Sequence, residues 1–327
     1  MGEFDLIDRY FKRPAKRVVD HVVLGVGDDC ALLAPTPGMQ LAVSSDMLVE
    51  GRHFLSTVEP SRLGHKALAV NLSDLAACGA KPLAFTLALS LPAIDEAWLA
   101  GFSQGLFALA DAHGCALVGG DTTRGPLNIC ITVFGEVPAG AALLRSGAKP
   151  GDDIWVSGSL GDARLALEVF RGTVALPAAL FEMARARMEQ PTPRVALGQA
   201  LRGVATAAVD VSDGLLGDLG HILRASGLGA QVDADAAVGT IVMQQQAADV
   251  GLSAEMLRTC ALAGGDDYEL VFTAPVDAHD AVLQAGLAAQ TPVTRIGRTA
   301  AAPGLRIVDR HGVPIGQTFS SFDHFSA

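Results

Sequence analysis

The stretch CALVGGDTTRGPLNICITVFGEV, residues 115–137, carries the central question of the fold. Cys115–Val118 is apolar and reads as a strand running into Gly119-Gly120-Asp121, and Leu127–Val137 alternates as a second strand with only a Gly-Pro turn between them. Working outward, residues 94–113 before it have helical spacing and a stop at Gly114, and Leu83–Leu91 is another strand. Residues 60–78 form a helix with a small-residue face, which puts Asn71 and Asp74 on one side of it, and Leu41–Ser45 is a strand ending at Asp46. Strands alternating with helices predict an α/β fold, and adjacent strands with no helix between them keep an α+β mixture open. Residues 1–20 read as an amphipathic helix with Arg13, Lys16 and Arg17 on it.

Residues 138–153 change character through Pro138, Gly140, Gly147, Pro150 and Gly151, and a domain boundary is placed there, dividing the chain into 1–145 and 146–327. Beyond it strands are expected at 154–157, 205–211, 268–273, 294–298 and 305–309. Helices are expected near 162–170, 178–189, 194–202, 215–225, 243–250 and 277–287.

Composition narrows the function. The chain has 327 residues and a net charge of −11, with 50% hydrophobic, 5% aromatic and 18% charged residues. Acidity disfavours nucleic acid and anionic membrane surfaces as partners. No N-terminal apolar signal is present, and the apolar run Pro82–Pro92 is too short to span a bilayer. Five cysteines (Cys30, Cys78, Cys115, Cys130 and Cys260) without a CxxC spacing point to a reduced, cytoplasmic protein.

Against this charge-poor background stand six short acidic motifs: Gly27-Asp28-Asp29, Ser44-Ser45-Asp46, Asn71-Leu72-Ser73-Asp74, Gly119-Gly120-Asp121, Asp210-Val211-Ser212-Asp213-Gly214 and Gly264-Gly265-Asp266-Asp267. Each is expected where a strand or helix meets a turn. A single Gly-Asp is ordinarily a turn or a helix cap. If the fold gathers several, the clustered carboxylates call for hard cations, and oxygen-only ligands suit Mg²⁺. The usual phosphate loops are missing: there is no P-loop, no complete dinucleotide fingerprint at Gly25-Val26-Gly27, no protein-kinase catalytic loop, no HExxH and no Gly-x-Ser-x-Gly.

The ordered set Gly25–Cys30, Ser44–Asp46 with Glu50–Phe54, Lys66–Ala77, Gly119–Arg124, Arg145–Asp152, Asp210–Gly214, Gly264–Leu270 and Phe322–Phe325 resembles the thiamine-monophosphate kinase family, and the resemblance runs along nearly the whole chain. That family shares a superfamily with aminoimidazole ribonucleotide synthetase and selenophosphate synthetase. The resemblance implies phosphorylation of thiamine monophosphate by ATP with several Mg²⁺ ions. It also implies two α/β domains, a nucleotide cleft between them, and a homodimer whose N-terminal sheets join as a barrel. It makes Asp29, Asp46, Asp74, Asp121 and Asp210 metal ligands, with Ser44 and Ser45 adding hydroxyl or carbonyl oxygens and Asp213 an outer metal site. Gly120, Asp121, Arg145 and Ser212 correspond to ATP contacts, and His53, Asp266 and Phe322 to substrate contacts.

Two positions depart from the family pattern: Asp266 stands where Glu is common, and Met47 where Thr is common. The expected chemistry is direct in-line transfer without a covalent or general-base residue, because the acceptor phosphate oxygen is already anionic. Within the superfamily, selenophosphate synthetase would carry a reactive Cys or selenocysteine in a Gly-rich N-terminal segment, whereas the early cysteine here is Cys30, directly after the aspartates. The hydrogenase-maturation relative would end in cysteine, and this chain ends Phe325-Ser326-Ala327. A nucleotide-binding protein without turnover is the alternative from another class.

Overall fold

The computed structural model describes residues 2–12, 21–242, 244–247 and 250–320. Arg13, Lys16 and Arg17 of the expected N-terminal helix lie outside the described residues, as does Phe322. The chain divides into two compact units, Met1–Leu75 with Ala80–Ala141, and Ala76–Gly79 with Ala142–Ala327. Both mix helix and sheet.

The first unit opens with a short helix α1 (Glu3–Leu6) and a two-stranded ribbon, β1 (Val22–Leu24) with β2 (Leu32–Leu33). Then follow β3 (Met39–Val49), α2 (Pro60–Ala77), β4 (Lys81–Leu91), α3 (Glu96–His113), β5 (Ala116–Arg124) and β6 (Asn128–Pro138). The strand order is β3-β6-β4-β5. β6 is antiparallel to both β3 and β4, whereas β4 and β5, joined through α3, run parallel. Period-two alternation makes one face apolar: Leu83, Phe85, Leu87 and Leu89 of β4 and Ile129, Ile131 and Val133 of β6 are buried. The helices cross where both carry glycine. A Cβ on Gly64 would lie 2.0 Å from the Phe102 carbonyl oxygen, and one on Gly105 would lie 1.8 Å from that of Ser61, so no larger residue fits this approach. The Asp95 side chain caps the start of α3. Gly114 ends it in the left-handed conformation, as the sequence predicts.

The second unit contains β7 (Asp153–Ser157), α4 (Asp162–Phe170), α5 (Ala178–Glu189), α6 (Val195–Ala200), β8 (Ala207–Asp210), α7 (Leu215–Ser226), β9 (Gly229–Asp233), α8 (Ala234–Val238), α9 (Ala254–Ala263), β10 (Leu270–Ala274), α10 (His279–Ala288), β11 (Val293–Ala300) and β12 (Gly304–Val308). Its sheet runs β12-β9-β11-β7-β10-β8, antiparallel except for the β12–β9 pair. Ile154, Val156, Leu165, Leu219, Ile222, Val271 and Ile296 belong to one buried core.

Three expectations change. Gly119-Gly120-Asp121 does not follow its strand but lies within β5, because β4 supplies hydrogen bonds as far as Arg124. Ser44–Asp46 likewise lies mid-strand, paired with Ile131–Val133 of β6. Residues 243–250 contain a single 3-10 turn at Gln244–Gln246 among the described residues. The helix α9, capped by Ser253 on the Met256 amide, and the strand β9 were not anticipated.

Candidate active site

In the first unit, Ser44 and Asp46 are two apart on β3 and so share a face of the sheet. Ser44 Oγ donates to the Asp74 carboxylate at 2.5 Å. The Asp46 amide donates to Asn71 Oδ1 at 3.1 Å. Asn71 is buried and its Nδ2 donates to the Ala67 carbonyl one turn back in α2, which fixes the side chain with its oxygen toward β3. One strand face and one helix face, the latter carrying residues three apart, thus bring Ser44, Asp46, Asn71 and Asp74 together. Ser45 is different: its hydroxyl donates to the Ile131 carbonyl and lies 2.9 Å from Thr132 Oγ1, on the opposite face of the sheet. Its hydroxyl therefore does not share the face of Ser44 and Asp46.

Asp28 accepts from the Asp29 amide at 2.8 Å, a turn function, and both residues are exposed. Asp121 pairs with Ala88 across β4. At Gly120 the chain has φ 148°, and a Cβ would lie 1.8 Å from the Leu87 carbonyl oxygen. Glycine is therefore required here to seat β5 against β4, whatever it does for a nucleotide. His53 Nδ1 accepts from the Val49 amide at 3.0 Å, so in the neutral ring the proton sits on Nε2. Lys66 is buried, with its Nζ donating to the His53 carbonyl at 3.2 Å.

In the second unit two motif loops are hydrogen-bonded to each other. Asp210 ends β8, buried, opposite Leu270 of β10. The Val211 amide donates to the Glu269 carbonyl (2.8 Å), the Tyr268 amide to the Val211 carbonyl (2.9 Å) and the Asp266 amide to the Ser212 carbonyl (2.9 Å). Asp266 and Tyr268 both have left-handed backbones, with φ 68° and 49°. Arg145 falls in this unit, near His221, whose Nδ1 lies 3.1 Å from Arg224 Nη2. Burial lowers the His221 pKa, and the Arg145 and Arg224 charges lower it further, while Asp213 opposes them. The ring thus sits within a basic group beside Asp213.

The sequence reading missed the groups beneath these loops. Glu269 is fully buried and accepts from Arg187 Nη2 (2.6 Å), from Arg194 Nε and Nη2 (2.6 Å each) and from Ser157 Oγ (2.5 Å). Such a pair is well matched, since a buried carboxylate needs charge and hydrogen bonds together. Asp267 is also buried, and both its oxygens accept from the Gly161 amide at 2.9 Å; burial pushes its carboxyl well up. Asp162, which accepts from the Val242 amide, is pushed up to about 6 by the same cause. Asp218 takes three amides of the 212–214 loop, and burial raises its pKa to about 6. The available signal was an acidic residue in the first turn of a helix, and, for Glu269, a charge at the mouth of an apolar strand.

Among the described residues no three Asp, Glu, His or Cys side chains form a ready metal cage. The first unit instead offers carboxylates and a hydroxyl, a hard and incomplete donor set. That is what Mg²⁺ uses when substrate phosphate and water supply the remaining oxygens.

Residues 27–137 match the model of the AIR synthase related protein N-terminal domain, and residues 149–310 that of the C-terminal domain. The chain is 48% identical to the thiamine-monophosphate kinase of Salmonella typhimurium over 99% of this chain and 98% of that one. It superposes on the thiamine-monophosphate kinase of Stenotrophomonas maltophilia with a TM-score of 0.86 at 48% identity, covering 96% of this chain and 98% of that one. On AaThiL complexed with AMPPCP and TMP the TM-score is 0.76 at 26% identity, covering 98% and 96%. With both domain models matched in order and near-full-length identity to these enzymes, the chain belongs to the thiamine-monophosphate kinase family.

Proposed function

We propose that this chain transfers the γ-phosphoryl group of ATP to thiamine monophosphate, giving thiamine diphosphate and ADP. The observation that carries this reading is the near-full-length identity to the Salmonella kinase. That AaThiL holds AMPPCP and TMP together supports it. In the first unit Ser44, Asp46 and Asp74, with Asp29, Asp121 and the Ser45 carbonyl, would hold Mg²⁺. In the second, Asp210 and Asp213 would do so. When bound, Mg²⁺ neutralises the charge that grows on the transferring group. In the second unit Arg145 and Ser212 would contact the nucleotide, and Arg224 and His221 extend the basic group beside Asp213; in the first unit Gly120 and Asp121 are the proposed nucleotide contacts. In the second unit Asp266 would meet the cationic thiazolium, and in the first His53 would offer Nε2–H to a substrate phosphate; Phe322, a further proposed substrate contact, lies outside the described residues.

The acceptor oxygen attacks the γ-phosphorus in line as the bond to the β–γ bridging oxygen breaks. No side chain has to remove a proton, because that oxygen is already anionic.

The first unit would also form the homodimer. Leu41, Val43 and Met47 of the edge strand β3 are 47%, 58% and 53% exposed on the sheet face opposite the helices, and a second copy would cover them. Among the described residues no helix is long and apolar enough to cross a membrane. The five free thiols fit the reducing cytoplasm.

Turnover of thiamine monophosphate with ATP and Mg²⁺ tests this directly. Product that requires Mg²⁺ and falls at least about 100-fold in Asp74→Asn supports the reading. A folded, ATP-binding wild type that makes no thiamine diphosphate removes it. Label retained on the protein from γ-labelled ATP without acceptor would replace direct transfer with a phosphoenzyme.

A further inference from the structure

Asp218 lies in the first turn of α7 and has no part in the chemistry above. It is buried, and its Oδ2 accepts from three consecutive amides, those of Ser212 (3.0 Å), Asp213 (3.0 Å) and Gly214 (3.1 Å). Successive amides converging on one point make an anion seat, and the amino end of a twelve-residue helix adds its dipole to the attraction. In a protein that handles phosphate this is where a phosphate would be expected to bind. Here the chain fills the seat with its own carboxylate.

Two consequences follow. The amides of 212–214 are engaged, so the loop reaches a ligand through the side chains of Asp210, Ser212 and Asp213. The loop is also tied onward, since the Ser212 carbonyl takes the Asp266 amide and the Val211 carbonyl takes that of Tyr268. Any shift at 212 therefore reaches Asp266, whose left-handed backbone leaves few alternative conformations.

Building on the phosphoryl-transfer reading, we infer that Asp218 is the positioning residue of the second unit. It is an internal anion that clamps the 212–214 loop, sets Asp213 and Asp266 in register with each other, and denies phosphate the amino end of α7. An ordinary helix cap would lend stability alone. A positioning residue must also change ligand affinity and turnover.

The test compares full-length wild type, Asp218→Ala and Asp218→Asn by three measures: amide exchange at 212–214, the Mg·ATP dissociation constant by calorimetry, and kcat and KM for both substrates. In Asp218→Ala the amides lose protection, Mg·ATP affinity falls about tenfold and kcat about 100-fold, as expected for a supporting residue whose loss lets reacting groups drift. Inorganic phosphate then competes with Mg·ATP in this variant and not in wild type. Asp218→Asn keeps an acceptor oxygen in the same place and recovers affinity and kcat to within about fivefold of wild type. A folded Asp218→Ala whose Mg·ATP affinity stays within about twofold overturns the inference. If Asp218→Ala does not fold, Asp218→Ser, polar but too short to reach three amides, decides on the same measure. A wild type that binds Mg·ATP but phosphorylates no thiamine phosphate sinks the kinase reading and leaves affinity to decide this one. A wild type that does not bind Mg·ATP overturns both.

Discussion

Ser44 and Ser45 are neighbours on β3, and the two-residue period of a strand sends their hydroxyls to opposite faces, one to Asp74 and the other to Thr132. Such distinctions are settled residue by residue. Asp266 has φ 68°, and Asp tolerates the left-handed region better than longer side chains do. Asp266→Asn preserves that backbone and removes the charge. It should raise KM for thiamine monophosphate about tenfold and leave KM for ATP unchanged, the scale of one lost charge-assisted contact. Equal shifts in both constants would show that Asp266 acts through its loop instead. Asp162 makes a separate prediction. Burial raises its carboxyl from 3.8 to about 6, so the folded state holds this proton more tightly than the unfolded chain does. Its contribution is greatest when protonated and is lost as pH rises through about 6. Asp162→Asn cannot ionise. Relative to wild type, it should therefore gain about 2 kcal/mol in going from pH 4 to pH 8, read by urea unfolding at each pH. An equal difference at both pH values would refute the shift.

At the scale of elements, the pairing of β5 with β4 explains why two adjacent glycines have unequal roles. Gly119 has open space where a Cβ would go, whereas Gly120 would drive one into the Leu87 backbone. Gly119→Ala should leave unfolding free energy within about 1 kcal/mol of wild type, and Gly120→Ala should lose about 3 kcal/mol or more. Denaturant midpoints measured side by side check both. The same pairing absorbs Gly119-Gly120-Asp121 into a strand although the residues have turn composition. Helices with clean signals, such as α3 with Gly114 after it, were legible because their punctuation is local. The strand β9 and helix α9 were not, because short amphipathic segments take their state from partners far along the chain.

At the scale of the molecule, the exposed apolar face of β3 predicts a dimer of twice 33.7 kDa in solution, and Val43→Lys should shift it to the monomer mass by light scattering. A wild type that is already monomeric at micromolar concentration would remove the dimer. By itself the sequence determined the mixed helix-and-strand class and the family. It also located the aspartate motifs and showed the absence of the common phosphate loops, because these depend on residue type and order along the chain. The pairing of Ser44 with Asp74, the divergence of Ser45, the clasp of Asp218 on three amides and the burial of Glu269 between Arg187 and Arg194 were decided only by the tertiary structure. The physical reason is that charge, burial and hydrogen bonding act across space. Glu269 and Arg187 stand 82 positions apart in the chain, yet each makes the other's burial tolerable only once β10 and α5 are in place.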